Sequence, residues 1–300
     1  MARPAPASRH SRQRPLEAVM RLVFLLCGLV AVAFVALITV YLVASGLPAI
    51  REVGLREFLL GRTWNSTDPS NPRFGILPMI LASLYGTAGA ILLGTPAGFF
   101  TAVYLAKLAP PRTAEILRSA VGLLAGIPSV VYGLIGMLVL VPALRRAFRL
   151  PAGDTLLAAV IMLAVMILPS IISVSETALA AVPREYEEAS LALGATELET
   201  WFRVSAPAAR SGIAAAVVLG VGRAIGEAMA VLMVAGNVAN MPALFRSVRF
   251  LTTGIAVEMN YASPGSLQRQ ALFSIGLVLF VFITLINALL HGALNRKKGA

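Results

Sequence analysis

Residues 188–212 read EASLALGATELETWFRVSAPAARSG, a polar, helix-forming stretch between two long apolar segments. Pro183 suits the first turn of a helix, so Arg184 to Leu193 reads as a short helix. Gly194 ends it, because glycine readily takes the left-handed turn that closes helices. Thr196 and Glu199 have the S/T-x-x-E spacing of a capping box, so a second helix starts at once. Leu198, Trp201 and Phe202 give that helix an apolar edge, and Pro207 marks its end. The expected product is a helix, a sharp turn and a second helix over residues 183–207. A surface helix resting on lipid headgroups is the plainer reading. Against it stands the acidity of Glu185, Glu187, Glu188, Glu197 and Glu199, which anionic lipid would repel. A protein partner fits better.

Outward from this loop the chain is apolar. Of its 300 residues 58% are hydrophobic and 13% charged, against roughly 45–50% and about 25% in soluble domains. A soluble domain this apolar could not cover its own surface, so one integral membrane domain is the economical reading. Net charge is +11. Basic ends and loops meeting anionic headgroups explain that surplus better than nucleic acid does. Cys27 is the single cysteine, which excludes a disulfide or a thiolate metal cluster within the chain.

Six spans are expected, near residues 20–44, 76–106, 117–141, 155–179, 212–236 and 271–293. Each is long enough to cross roughly 30 Å of hydrocarbon as a helix, which satisfies its own backbone. The first apolar run, Leu22 to Val43, is too long for a signal-peptide core of about 7–15 residues and reads as an uncleaved span. Pro96, after Gly94, marks a kink in the second. The domain reading is a disordered basic tail over 1–18, a first helix and outer loop over 19–75, a transmembrane core over 76–293, and a tail over 294–300. Residues 46–75 read as a turn-rich loop, and 243–257 as an amphipathic piece.

An even number of spans puts both termini on one side. The face holding the tails and the 183–207 loop carries 14 basic residues and the opposite face ten. Arg3, Arg9, Arg12, Arg14 and Arg21 flank the first span, with no basic residue beyond it until Arg51. Both termini are therefore expected in the cytoplasm.

Arg223 and Glu227 lie in the otherwise apolar fifth span. A charge at mid-bilayer costs on the order of 2.5–3.5 kcal/mol on insertion scales. At i, i+4 the two would share a helix face and could neutralise each other. A pair that only cancels itself offers nothing over two leucines, so an anion pathway or a switchable contact is the sharper reading. The planar guanidinium suits a tetrahedral oxyanion. Gly222 and Gly226 stand one turn apart and let another helix approach closely, which fits a subunit contact.

The loop resembles the EAA loop of bacterial ABC importer permeases. Glu188-Ala189-Ser190, three residues, Gly194, nine residues, then Val204, Ala206 and Pro207 match that family's spacing, EAA-x3-G-x9-I-x-L-P. Ser190, Val204 and Ala206 are mild departures. FGILPMILASLYGT (74–87), LAGIPSVVYGLIGM (124–137), ILPSIISVSETALAAVP (167–183) and GRAIGEAMAVLMVAGN (222–237) are similar to phosphate importer permeases of the PstC type. The resemblance covers about residues 60–293.

It implies an all-helical, six-span type I (MetI-like) permease of the bacterial inner membrane, moving inorganic phosphate by ATP-driven alternating access. It implies that Glu188, Ala189, Ser190, Gly194 and Pro207 couple to an ATPase, that Arg223 attracts the anion, and that Glu227 holds or releases the arginine. The implied partners are a second, PstA-like permease, two PstB-like ATPases carrying ATP and magnesium, an extracytoplasmic PstS-like phosphate-binding protein, and lipid.

The chain has no P-loop, since none of Lys107, Lys297 and Lys298 is followed by Ser or Thr. No catalytic residue, metal site or cofactor of its own is expected. The alternatives are a permease for sulfate or molybdate, a phosphate-sensing regulator working through the same complex, and an intramembrane hydrolase, whose site is not visible in the spans.

Overall fold

The computed structural model describes residues 13–68 and 70–296. Helix α1 (Gln13–Val53) begins inside the segment expected as an irregular tail and runs well past the first span. The rest of that tail and residues 297–300 lie outside the described residues. Helix α2 (Leu55–Leu60) and a two-stranded antiparallel hairpin, β1 (Trp64–Asn65) and β2 (Arg73–Phe74), occupy the expected loop. Next come α3 (Leu77–Val103), extended by a π-helical turn (Tyr104–Leu108), and α4 (Pro111–Gly126). A third crossing follows from α5 (Ser129–Ile135) through a π turn (Gly136–Leu140) to α6 (Val141–Ala147). Helix α7 (Leu156–Ala180) crosses back. The loop contributes α8 (Arg184–Ala192), α9 (Glu197–Thr200), a π turn (Trp201–Ser205) and α10 (Ala206–Ala208). The chain ends with α11 (Arg210–Gly226), α12 (Met229–Val234), α13 (Leu251–Glu258) and α14 (Leu267–Arg296).

Among the described residues five helices are long and apolar enough to cross a membrane, or six if Glu197–Ala208 and Arg210–Gly226, bent by 71°, form one span. Two expected spans are corrected in position. The third does not run over 117–141, because Ile127 and Pro128 are extended and separate α4 from the crossing that starts at Ser129. A proline disfavours helix in the residue before it. The fifth is not one helix over 212–236. Glu227, with ψ 128°, leaves the helical path after Gly226. Helix α12 then packs on α5, where a Cβ on Gly133 would lie 3.0 Å from the Ala230 backbone. Pro96 sits inside α3 without interrupting it.

Helix α7 forms the centre. Leu163, Ile167 and Ile171 are fully buried in the main apolar core. Helix α3 approaches through a stripe of small residues: a Cβ on Gly89, Gly94 or Gly98 would meet Val160, Ile167 or Ile171 at under 3.0 Å. Close backbone approach replaces the hydrophobic drive that lipid cannot supply. Helix α1 is its opposite. Its most apolar window has no buried residue, and it touches the bundle mainly through α14, where Ser274 Oγ donates to the Gly46 carbonyl at 2.5 Å.

Replacing Gly94 by leucine forces Ile167 and the Ala164 carbonyl to move, and overpacking of this kind costs roughly 1–3 kcal/mol. We expect Gly94→Leu to lower the melting temperature of the detergent-purified protein, while Gly122→Leu, whose Cβ meets nothing within 4 Å, leaves it in place. Equal melting of the two variants would show that the close α3–α7 approach contributes nothing to stability.

Candidate functional site

The loop has the local structure that its sequence dictates. Gly194 has φ +87°, a conformation that a side chain disfavours. The capping box is complete: the Glu199 amide donates to Thr196 Oγ1 at 3.3 Å, and the Thr196 amide donates to Glu199 Oε2 at 3.1 Å. Those bonds from Thr196, with the Arg203 charge nearby, outweigh a small desolvation and hold the Glu199 carboxyl below its ordinary value of 4.5. Glu188, Ala189, Gly194 and Pro207 are exposed, whereas Ser190 is half-buried with its hydroxyl 2.8 Å from that of Thr200. Leu193 is 90% exposed and Leu198 59%, so the turn presents an apolar tip.

A second feature of the loop has no signature in the sequence. Glu187 Oε1 accepts from Lys107 Nζ at 2.5 Å and from Ser205 Oγ at 2.7 Å. Burial opposes ionisation of Glu187, but the bonds from Lys107 and Ser205 and the charges of Lys107 and Arg184 prevail. Its carboxyl therefore titrates below the ordinary value. Lys107 lies 80 positions away in sequence, and no local pattern announces such a contact. Nearby, Arg118 of α4 pairs with Glu176 of α7 at 2.6 Å.

Inside the bundle the structure separates the pair that helical spacing would join. Arg223 and Glu227 form no ion pair among the described residues. Arg223 is half-buried, and Nη1 lies 3.4 Å from Ser170 Oγ on α7. Tyr132 of α5 stands within electrostatic reach of the guanidinium, and its hydroxyl donates to the Leu124 carbonyl across the Ile127–Pro128 break at 2.8 Å. The Glu227 carboxylate instead accepts from the Ala230 amide at 3.1 Å and caps α12, while its carbonyl accepts from Thr252 Oγ1 at 2.8 Å. The expected shared helix face fails because Glu227 is extended. A Cβ on Gly222 or Gly226 would meet nothing within 4 Å, whereas one on Gly220 would lie 3.2 Å from Ile171. Ser170 belongs to the site, although in sequence it is one intramembrane hydroxyl among several.

At the opposite end Glu258 collects four donors: Trp64 Nε1 (2.8 Å), Ser66 Oγ (2.6 Å), Arg249 Nη1 (2.5 Å) and Gln268 Nε2 (3.3 Å). Arg249 Nε also donates to the Asn237 carbonyl at 2.8 Å. This hub ties the hairpin, α13, α14 and the return from α12 together.

A bundle of five or six membrane-length helices, with an exposed polar loop and a half-buried arginine on one side of α11, is the architecture of a membrane permease. The chain belongs to the family described as binding-protein-dependent transport system inner membrane component, whose model matches residues 94–299. It is 40% identical to the probable ABC transporter permease protein YqgH of Bacillus subtilis, covering 97% of this chain and 95% of that one. It is 32% identical to the phosphate transport system permease protein PstC of Haemophilus influenzae, covering 93% of each. The fold is shared with an inward-facing MetNI methionine ABC transporter structure at TM-score 0.54 and 20% identity, over 74% of this chain and 94% of that one.

Thr196→Ala removes the cap and should raise amide hydrogen exchange over residues 196–205 by roughly fivefold, the equivalent of a typical N-cap. The depressed Glu199 carboxyl gives the cap a pH dependence. Its contribution is complete above the ordinary value of 4.5 and is lost as pH falls through the lowered one. Exchange of the wild-type loop, corrected for intrinsic rates, should therefore stay flat down to that range and rise below it. Protection that persists at the lowest pH would show that the cap does not depend on the carboxylate.

Proposed function

We propose that this chain is a permease subunit of a bacterial phosphate importer driven by ATP. The observation that carries the substrate is kinship with phosphate permeases, such as the 34% identity to PstC of Mesorhizobium japonicum over 86% of this chain. The interior supports it. A guanidinium with a single serine hydroxyl as its hydrogen-bond partner among the described residues keeps most of its donors free for an oxyanion.

The chain is a multi-pass protein of the inner membrane, and the family works with separate ATPase and substrate-binding subunits. On our reading these are two PstB-like ATPases, which carry ATP and magnesium, and a PstS-like protein outside. The second permease is PstA-like. This chain holds no cofactor of its own and makes or breaks no covalent bond. The termini and the 183–207 loop face the cytoplasm. There the apolar tip at Leu193 and the surface of Glu188, Ala189, Ser190 and Gly194 enter the ATPase subunit, with Pro207 closing the element. ATP binding draws the ATPases together, and the loop passes that displacement to the spans as alternating access. Arg223 offers the anion a transient partner in a site that the binding protein has already made selective. Glu227 shapes the break beside it by capping α12. Gly222 and Gly226 lie on an open face of α11 that the second permease covers.

Phosphate-starved cells lacking the gene, complemented with wild type or Arg223→Gln, test this directly. Wild type should restore radiolabelled phosphate uptake with sulfate and molybdate uptake unchanged, and Arg223→Gln should lose at least about tenfold. Arg223→Lys should fall between them, since it keeps charge but not the planar fork. Normal transport by Arg223→Gln would make the arginine structural. Restoration of sulfate or molybdate uptake in place of phosphate would move the substrate to that anion.

A further inference from the structure

Helix α8 has no buried residue. Apolar packing therefore gives it little hold on the bundle, and beyond its short covalent link to α7 the polar ties carry the force it transmits. The Ser190–Thr200 contact stays within the loop, joining α8 to α9. Of the Glu187 contacts, the one to Lys107 leaves it and the one to Ser205 reaches its far end. Lys107 lies in the π turn that continues α3, and Ser205 closes the π turn that leads through α10 into α11. One carboxylate oxygen thus joins the loop helix to the turn that continues α3 and to the segment that leads into α11, at 2.5 and 2.7 Å. The pair is largely shielded, with side-chain exposures of 13% for Lys107 and 19% for Glu187, so water and salt screen it less than a surface pair. Both anchors sit in π-helical turns, which are rare and frequent at functional positions.

We propose that Glu187 is the positioning residue that converts displacement of α8 into movement of α3 and α11. The inference rests on the importer function proposed above and names a transmission element within it. Glu187 faces the bundle, whereas its neighbour Glu188 is exposed. Adjacent acids therefore have opposite duties: one is presented outward on the loop, and the other grips the membrane helices. With the grip intact, α8 cannot shift without carrying Lys107 and Ser205. Without it, α8 moves alone and nucleotide turnover is spent without opening the pathway.

The test uses the complete transporter in proteoliposomes with its binding protein, measuring anion moved per ATP hydrolysed. The ratio is taken on whichever oxyanion the wild-type complex moves, so a substrate other than phosphate leaves the test of Glu187 intact. The variants are Glu187→Gln, Lys107→Glu, and the charge exchange Lys107→Glu with Glu187→Lys. We expect Glu187→Gln and Lys107→Glu to co-purify with the ATPases and to hydrolyse ATP within about twofold of wild type. The transport ratio should fall at least about tenfold, and the exchange should recover half of it or more. A wild-type ratio in Glu187→Gln overturns the proposal. So does a parallel loss of hydrolysis and ATPase co-purification that the exchange leaves unrepaired, since that marks a docking or folding role.

Discussion

The burial of α7 is the constraint on which the rest depends. In its most apolar window 61% of residues are covered by other parts of the chain, against none for α1 and 17% for α14. Lipid is as apolar as leucine, so a helix is drawn into the centre by shape rather than by escape from solvent. Here the shape is a row of glycines on α3 that accepts Val160, Ile167 and Ile171, while Ile171 also meets Gly220 of α11. These contacts fix the rotation of α7 about its axis. That rotation brings Ser170 toward Arg223 and Glu176 toward Arg118. The interior site is thus a consequence of apolar packing one residue away.

The two ends of the bundle are held differently. At the hairpin end, Phe58, Ile76, Met79, Leu251 and Leu272 form a buried apolar cluster beneath the Glu258 hub. The polar hub there reinforces a packed core. At the loop end α8 has no such core and depends on single hydrogen-bonded groups. A packed apolar interface resists sliding because many contacts must be lost together. A lone carboxylate between two donors lets a short helix pivot while staying attached. A packed bundle with one lightly tethered helix at the loop end suits a machine whose drive enters from that side.

Local chemistry is legible in the sequence and tertiary placement is not. Thr196, Glu199 and Gly194 specify cap and turn because each acts within three or four residues. The apolar runs announce the spans by length. The break at Ile127–Pro128 is masked because the hydropathy continues through it, although the proline is in plain view. The extended Glu227 has no local warning. It follows from α12 packing against Gly133 of α5, about a hundred residues earlier, and tertiary contact of that kind overrides helical propensity. For the same reason Lys107, Glu187 and Ser205 look like ordinary loop residues until the fold brings them together.

The separation of Arg223 from Glu227 also changes what the arginine is for. Had the two paired, the charge would have been cancelled within one helix, and an entering anion would have had to displace a carboxylate. The break after Gly226 turns that carboxylate away from the arginine, to the Ala230 amide in the first turn of α12. The guanidinium keeps its net charge on a helix whose Leu219 is 56% exposed and whose Gly222 and Gly226 face open space. Residues 219, 222, 223 and 226 recur at helical spacing and so share one side. A bare charge on a side with so little cover is costly in hydrocarbon. It becomes tolerable where a second permease closes over α11 and the enclosed space admits water and a counter-ion. On the proposed function, the cation that makes one chain incomplete is what gives the assembled pathway its preference for anions.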